Sequence, residues 1–482
     1  MSTGAGFVTG TADGRTPGAA AIGRRGASAF IVRLLLQRHD PARAWTAAIF
    51  AFALFAPTFP DALGTLGAII VNGGLVVLLA SAMIAPGMRV RFLTQGERTV
   101  YRVLVGCLAY YMIAVGLGVG LLSPAVIVSD TFELHKPVLH ALALSLPFAV
   151  VRGRADVAFV ERVLGVGFLG VVAVSAVQFV GLTPLAALYT EASNIRMGRL
   201  SAPFGNPYDY AFALTLFVYV YLFRFLKRAD GRALAAAAAG LGLIVLSQSR
   251  TNAIVVGGAL ACLVPGVLIV EHFGALARLR APRAVLRYGW IYLLGALAVY
   301  ALIMTFREEL AYLIGGIAQL IREGSQSSLD ERLRQFRVVV DRASDSLVVA
   351  LFGNGISKSV MRLLESGYTF FLFRFGLVGL VVIFFAPLVL VAGLTLRAIG
   401  RAHDADRHLQ LGVLVWLLTI PVASIGNTFT EQPRLSFLYY FLLGFAVRCH
   451  TLGAGPAVAP RTAPAAVARP PRTVERDDAG AA

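Results

Sequence analysis

The chain is divided into about a dozen apolar runs, most of which are long enough to cross a lipid bilayer as an α-helix. A bilayer core of about 30 Å needs roughly 20 apolar residues of helix, because backbone groups in lipid must form hydrogen bonds within their own segment. Hydrophobic residues make up 57% of the 482 positions and charged residues only 14%, against about 25% charged residues in an ordinary soluble domain. The sequence therefore predicts an all-α integral membrane protein.

We place about twelve transmembrane helices on these apolar runs. The predicted spans cover residues 44–59, 63–85, 101–122, 137–151, 163–182, 210–226, 233–246, 253–270, 286–306, 370–396, 409–424 and 435–447. The resulting regions are a cytoplasmic N-terminal tail (1–43), a membrane domain with spans one to nine (44–306), a large outer loop (307–367), spans ten to twelve (368–450) and a cytoplasmic tail (451–482). The last tail is rich in Pro and Ala with too few apolar residues for a core, so we expect it to be disordered.

The basic residues give an independent prediction of sidedness, because Lys and Arg in short loops favour the cytoplasmic side of a membrane. Seventeen of them fall in the five loops assigned to the inner side. The five short outer loops hold only Lys136, Arg196, Arg199, Arg250 and Arg434. This alternation predicts an even number of spans with both termini in the cytoplasm. The net charge of +17 therefore indicates membrane topology and not nucleic-acid binding.

The large outer loop contains a pattern typical of an amphipathic helix. Ser328 followed by Glu331 resembles a capping box. The apolar residues behind this pair recur at helical spacing, and they are Leu329, Leu333, Phe336 and Val340. We expect this helix to lie on the membrane domain.

The few basic residues left in the outer loops suggest an anionic ligand on that face. Arg199 precedes a Gly-Asn-Pro turn that contains Asn206, at the start of the sixth predicted span. Arg250 lies in the tight Ser-Arg-Thr connection between spans seven and eight. The alternative is that these are ordinary turns whose arginines extend toward water.

The large outer loop and the last spans add further charged residues that favour binding of a phosphate beside a base. They are Arg332, Arg334, Arg337, Arg342, Glu365, Arg374, Glu431 and Arg434. Arg374 lies inside the tenth predicted span, where an ionisable residue usually faces a polar cavity or a partner. The alternative for the arginines of the loop helix is that they form an ordinary solvated face. Glu431 and Arg434 either complete the charged surface of the site or pair only with each other.

The sequence has none of the common signatures of nucleotide or metal enzymes. It contains no phosphate-binding Walker loop, no dinucleotide fingerprint and no His-Glu-x-x-His pattern. The three cysteines, Cys107, Cys262 and Cys449, all lie in apolar runs without metal-ligand spacing. We therefore expect no metal and no cofactor.

Several short motifs resemble those of the O-antigen polymerase and O-antigen ligase superfamily of bacterial membrane glycosyltransferases. In chain order they are Arg199 through Pro207, Ser249 through Thr251, Phe352-Gly-Asn-Gly355, Glu365-Ser366 and Phe375-Gly-Leu-Val-Gly-Leu380. The resemblance covers approximately residues 160–445. It rests mainly on the order of the motifs along the chain and on the side of the membrane to which each motif is assigned. It implies a GT-C-like fold in the bacterial inner membrane.

The resemblance also implies an activity. Members of this superfamily take a glycan from an undecaprenyl diphosphate carrier on the periplasmic face and pass it to an acceptor glycan. Expected partners are the bilayer, the lipid-linked donor, the acceptor, a chain-length regulator and a flippase. In this reading Glu365 is the base, and Asn206, Glu431 and Arg434 belong to the substrate loops. The arginines that would bind the diphosphate are Arg199, Arg250, Arg332, Arg342 and Arg374.

Alternative functions remain open at this point. The ligase branch, which transfers glycan to lipid A core, carries a histidine in its large outer loop, whereas no histidine occurs here between His272 and His403. That departure favours a polymerase of O-antigen or exopolysaccharide units. A transporter or lipid-linked oligosaccharide flippase is the next alternative, although the sequence has no internal repeat of the kind that such proteins often show. A structural scaffold is a third, and it would not explain the outer arginines.

Overall fold

The computed structural model describes residues 40–118, 130, 132–274, 327–356, 364–399 and 407–454. Within these ranges every regular element is a helix, which confirms the all-α prediction for this part of the chain. The predicted ninth span (286–306), residues 1–39 and the predicted disordered tail beyond residue 454 lie outside the described residues.

We number the main helices in chain order. The first seven are α1 (Pro41–Phe55), α2 (Thr65–Ile84), α3 (Gln95–Leu117), α4 (His135–Val150), α5 (Arg154–Phe179), α6 (Pro207–Arg228) and α7 (Gly231–Leu246). Helix α8 joins Arg250–Gly258 to Val264–Gly274 through a π-helical turn at Ala259–Leu263. Next come α9 (Ser327–Ser344), α10 (Leu347–Phe352) and α11, which joins Gly367–Gly379 to Ala386–Ile399 through a π-helical turn. The last two are α12 (Arg407–Ala423) and α13 (Pro433–Ala454).

Seven of the described helices have the length and composition to cross a membrane, namely α2, α3, α5, α6, α8, α11 and α13. Three shorter apolar helices, α1, α7 and α12, lie among them. This is the architecture of a multi-pass membrane protein.

Helices α6 and α13 form the centre of the bundle. The apolar windows of α6 and α13 are 78% and 89% buried, whereas that of α3 is only 28% buried. Helix α6 packs against α7 and α12, and α13 packs against α4. A Cβ added at Gly444 would lie 2.3 Å from the carbonyl oxygen of Leu144, so α13 and α4 approach each other closely because a small residue separates them. The most exposed helices thus form the surface that lipid would contact.

Charged side chains collect at the two ends of the bundle. At one end Arg448, on α13, lies fully buried and binds Glu97 at 2.7 Å, and Arg43 binds Asp156 at 2.8 Å. The connections predicted to be inner meet at this end. At the opposite end Lys136 binds Glu431 at 2.7 Å, which joins two connections predicted to be outer.

Helix α9 begins differently from the sequence prediction. It starts at Ser327, so Ser328 lies inside the helix and not at its N-cap. The carboxylate of Glu331 accepts hydrogen bonds from Arg334 at 2.7 and 2.8 Å. These bonds lower the pKa of Glu331 and stabilise the exposed first turns of the helix.

Helix α9 packs against α11, as expected for a helix that lies on the membrane domain, but three of the four residues of its predicted apolar stripe face away from it, and the side chain of Leu329 lies outside the described residues. Gln335 and Val339 are the buried residues of this helix. Polar contacts explain the orientation, because the side-chain carbonyl of Gln335 accepts a hydrogen bond from the backbone N–H of Glu365 at 3.1 Å. Three residues of the predicted stripe are exposed instead, namely Leu333, Phe336 and Val340.

Candidate functional site

A polar cavity of about 460 Å³ lies at the end of the bundle where α6, α8 and α11 begin. Segments that are far apart in sequence form its wall, and α9 covers part of it. Seven residues singled out from the sequence line this one cavity, namely Arg199, Asn206, Arg250, Arg332, Glu365, Arg374 and Glu431. The fold therefore brings most of the predicted site residues together.

Two helices direct their N-terminal ends toward the cavity. Asn206 is the N-cap of α6, and its side-chain oxygen accepts a hydrogen bond from the backbone N–H of Tyr208 at 2.8 Å. Helix α8 begins at Arg250, after Gln248 in a left-handed conformation with φ of 56°, which few non-glycine residues adopt. Because helix N-termini carry partial positive charge, both ends favour an anion in the cavity.

Glu365 and Arg332 face each other across one edge of the cavity. The Nε atom of Arg332 lies 3.3 Å from Oε2 of Glu365. Both side chains are partly exposed, at 22% for Arg332 and 32% for Glu365. Within the part of the chain that the structure describes, Nε of Arg332 is buried without a hydrogen-bond partner. The carboxylate is thus held near an arginine but remains accessible from the cavity.

Arg374 is the most deeply buried cation of the cavity wall. Its side chain is 3% exposed, and its guanidinium lies 4.5 Å from the centre of the Phe370 ring. The closest carboxylate oxygen is Oε2 of Glu133, which lies 3.9 Å from Nη1. Among the described residues, Nε and Nη1 of Arg374 have no hydrogen-bond acceptor. Buried donors of this kind are costly unless a partner reaches them, so Arg374 is suited to an anionic ligand.

A break in α11 fixes the position of Arg374. Gly376 has a positive φ of 65° inside this helix, and the helix carbonyls before it turn to another segment. The backbone N–H groups of Asn354 and Gly355 donate to the carbonyls of Phe373 and Arg374 at 2.7 and 3.2 Å. A Cβ added at Gly376 would lie 2.3 Å from the carbonyl carbon of residue 351. Two of the glycine motifs singled out from the sequence therefore pack against each other.

Sequence reasoning missed the acidic residue that continues the charged network behind the cavity. Lys136 binds Oε2 of Glu133 at 2.5 Å and Oε1 of Glu431 at 2.7 Å. Glu133 also lies near Arg374, so alternating charges run from the cavity wall into the protein. The sequence did contain a signal for Glu133. It lies three residues before Lys136, one of the few basic residues in the outer loops, and this spacing allows an ion pair on one helical turn.

Asp209 is a second residue that the sequence did not reveal. It is fully buried, and its Oδ1 accepts a hydrogen bond at 2.8 Å from Nδ2 of Asn427. Asn427 lines the cavity, so Asp209 orients a cavity amide from behind. An acidic residue one position before a predicted span was the signal that could have found it.

Two of the predicted site residues do not line the cavity. Arg342 is exposed in the last turn of α9, roughly 15 Å along that helix from Arg332. Arg434 is buried and donates hydrogen bonds to the backbone carbonyls of Leu54, at 3.2 Å, and Ala56. Arg434 therefore provides hydrogen-bond donors for the backbone carbonyls at the C-terminal end of α1, and it does not pair with Glu431.

The charged residues of the cavity lining are four arginines and two glutamates, which gives it a positive balance. In the described ranges no group of His, Cys, Asp or Glu side chains is arranged to hold a metal ion. The arrangement suits recognition of an anionic group beside a carboxylate that can accept a proton. No protein-family model matches this chain, and no curated protein matches it.

Proposed function

We propose that this chain is a membrane glycosyltransferase that polymerises undecaprenyl-diphosphate-linked oligosaccharide repeat units, of O-antigen or exopolysaccharide, on the periplasmic face of the bacterial inner membrane. The observation that carries the proposal is the convergence of four arginines and two glutamates on one cavity at one end of an apolar helix bundle. The resemblance of the sequence motifs to the O-antigen polymerase and ligase superfamily supplies the donor and the acceptor.

The arginines are matched to a diphosphate. Guanidinium groups form paired, charge-assisted hydrogen bonds with phosphate oxygens, and a diphosphate carries several such oxygens. Nε and Nη1 of Arg374 have no hydrogen-bond acceptor among the described residues, and Nε of Arg332 forms an ion pair with Glu365 but no hydrogen bond in the same part of the chain. In the proposed complex these groups, with Arg199, Arg250 and the N-termini of α6 and α8, bind the diphosphate.

Glu365 is the proposed base. It accepts the proton of the acceptor hydroxyl while that oxygen forms a bond to the anomeric carbon of the donor sugar. The bond between this carbon and the diphosphate oxygen breaks, and its electron pair leaves with the diphosphate, whose charge the arginines stabilise. Because Arg332 lies 3.3 Å from Glu365, a diphosphate that binds Arg332 releases the carboxylate for proton transfer.

The proposed topology has twelve spans, with both termini in the cytoplasm and the cavity in the periplasm. The described residues of the basic loops assigned to the inner side, such as Arg89, Arg152 and Arg228, lie at the end of the bundle opposite the cavity, which supports this orientation. The same arrangement gives the cavity access to a donor whose diphosphate lies at the outer surface of the membrane.

The decisive experiment uses the protein in proteoliposomes with lipid-linked repeat units taken from a strain that lacks this chain. Wild type should convert single units into long chains, whereas Glu365→Gln should reduce the rate about 100-fold or more, as expected for loss of a general base. Glu331→Gln is the matched control, because Glu331 is an exposed carboxylate on the same outer segment and does not line the cavity. Long chains made at the wild-type rate by Glu365→Gln would remove the assigned base.

The same strain separates the alternative functions. A missing polymerase leaves single repeat units on the lipid carrier or on lipid A core. A missing flippase leaves them on the inner face of the membrane, and a missing ligase leaves long chains on the carrier. Either of the last two results would replace the proposed reaction.

A further inference from the structure

A second cavity, of about 730 Å³, lies at the opposite end of the bundle. It is a groove between α5, α6 and α7, and we call it the inner groove. Its walls are mainly apolar and include Phe168, Tyr221 and Ala236. Residue 208 of α6 lines the outer cavity, and the residues of α6 that line the inner groove begin at Leu216, so about 12 Å of helix separates the two sites. The inner groove is therefore not an extension of the site described above.

Charged residues of both signs line the inner groove beside its apolar walls. Four arginines and two carboxylates line it, which gives a net charge of plus two. Arg224 lies between the carboxylates and binds Glu161 and Asp230, each at 3.0 Å. The exposed arginines are Arg162, Arg228 and Arg232. The surplus positive charge thus lies at the mouth of an apolar groove.

We propose that the inner groove binds one acidic glycerophospholipid, with its acyl chains against the apolar walls and its headgroup phosphate against Arg162, Arg228 and Arg232. Charge complementarity selects the occupant, since an apolar groove under a basic rim at the end of a helix bundle matches a lipid with an anionic headgroup. Leu169 lines the groove and is 66% exposed, so the groove opens on the face that lipid contacts. The proposed glycan reaction plays no part in this inference.

The test measures lipid retention by native mass spectrometry. Wild-type protein is equilibrated in nanodiscs that contain equal amounts of phosphatidylglycerol and phosphatidylcholine, then released into detergent. One phosphatidylglycerol adduct should survive at least about fivefold more often than phosphatidylcholine, because each basic residue near a lipid surface contributes about 1 kcal/mol. This ratio does not depend on any variant, and a ratio near one would overturn the proposal.

Two triple variants then locate the adduct. Combined replacement of Arg162, Arg228 and Arg232 by Gln should bring the ratio close to one. The matched control replaces Arg89, Arg91 and Arg98 by Gln, three exposed arginines at the same end of the bundle that do not line the groove, and should leave the ratio unchanged. An equal fall in both variants would mean general attraction of acidic lipid to basic loops and would overturn the site.

A change in the wall tests the acyl chains separately. Ala236→Phe fills the groove and should reduce the phosphatidylglycerol adduct, whereas Ala238→Phe, on the exposed side of α7, should not. A photo-reactive residue at position 236 should form its crosslink with phospholipid. A crosslink formed only with the protein itself would show that another segment of the chain fills the groove, and it would overturn the proposal.

Discussion

The outer cavity and the inner groove each have four arginines in their lining, yet the surroundings of these arginines differ. In the outer cavity the wall is polar, and two buried nitrogens of Arg374 have no hydrogen-bond acceptor among the described residues. In the inner groove the wall is apolar, and the most central arginine, Arg224, is bound by two carboxylates. The number of arginines is therefore the same at the two sites, and the burial and partners of the arginines are what distinguish them; these differences fit the two proposals, an anionic reaction centre and a lipid site.

The largest expected effect concerns the sides of the membrane on which the two ends lie. A reporter that is active only outside the cytoplasm should give full signal when fused near Ser325 and none when fused near Asp230. Activity staining of whole cells against total protein measures this difference. The same result at both positions would remove the opposition between an outer cavity and an inner groove.

The next effect concerns catalysis. Arg374→Gln should lower the rate of chain extension about 100-fold, because it removes a buried donor to the leaving diphosphate. The rate is measured in proteoliposomes at saturating lipid-linked donor. Arg334→Gln is the control, since the Arg334 side chain is 74% exposed on α9. An equal loss of rate in the two variants would contradict the assignment of Arg374 to the diphosphate site.

A comparison of buried arginines sharpens the difference in stability between the two ends. Arg448→Met should destabilise the protein by about 3–5 kcal/mol, because it leaves Glu97 as an unpaired buried charge. Arg374→Met should cost much less, since two of the nitrogens it removes have no hydrogen-bond partner in the described ranges. Thermal unfolding of both purified variants in the same detergent gives the two values, and equal losses would contradict the distinction.

The break in α11 should produce the smallest of these effects that is still measurable. Gly376→Ala should destabilise the protein by about 1–3 kcal/mol, because alanine is strained at positive φ and its Cβ would meet the backbone of residue 351. Gly393→Ala, later in α11, is the control, since an added Cβ there meets nothing within 4 Å. Unfolding temperatures that change equally in both variants would mean that the break has no structural role.

Hydropathy and the positions of the basic residues predict the all-helical architecture and direct attention to the outer arginines. Arg199 and Arg250 were singled out because basic residues are rare in the outer loops, and Arg374 because it lies inside a predicted span; all three line one cavity. Glu133 and Asp209 were missed because their roles depend on contacts with residues far away in sequence, such as Asn427. The face of α9 was predicted incorrectly for a related reason, since local periodicity records apolar spacing but not the partner that Gln335 finds in the chain near residue 365.

The backbone bonds across the break in α11 have a mechanical consequence. The backbone N–H groups of Asn354 and Gly355 donate hydrogen bonds to the carbonyls of Phe373 and Arg374, so this part of the outer segment is joined to the backbone of the residue that carries the buried guanidinium. A movement of this segment would therefore shift the backbone that carries Arg374, and the guanidinium would follow through its own side chain. Any displacement of this segment would therefore also change the strength with which Arg374 binds the anion proposed for the cavity.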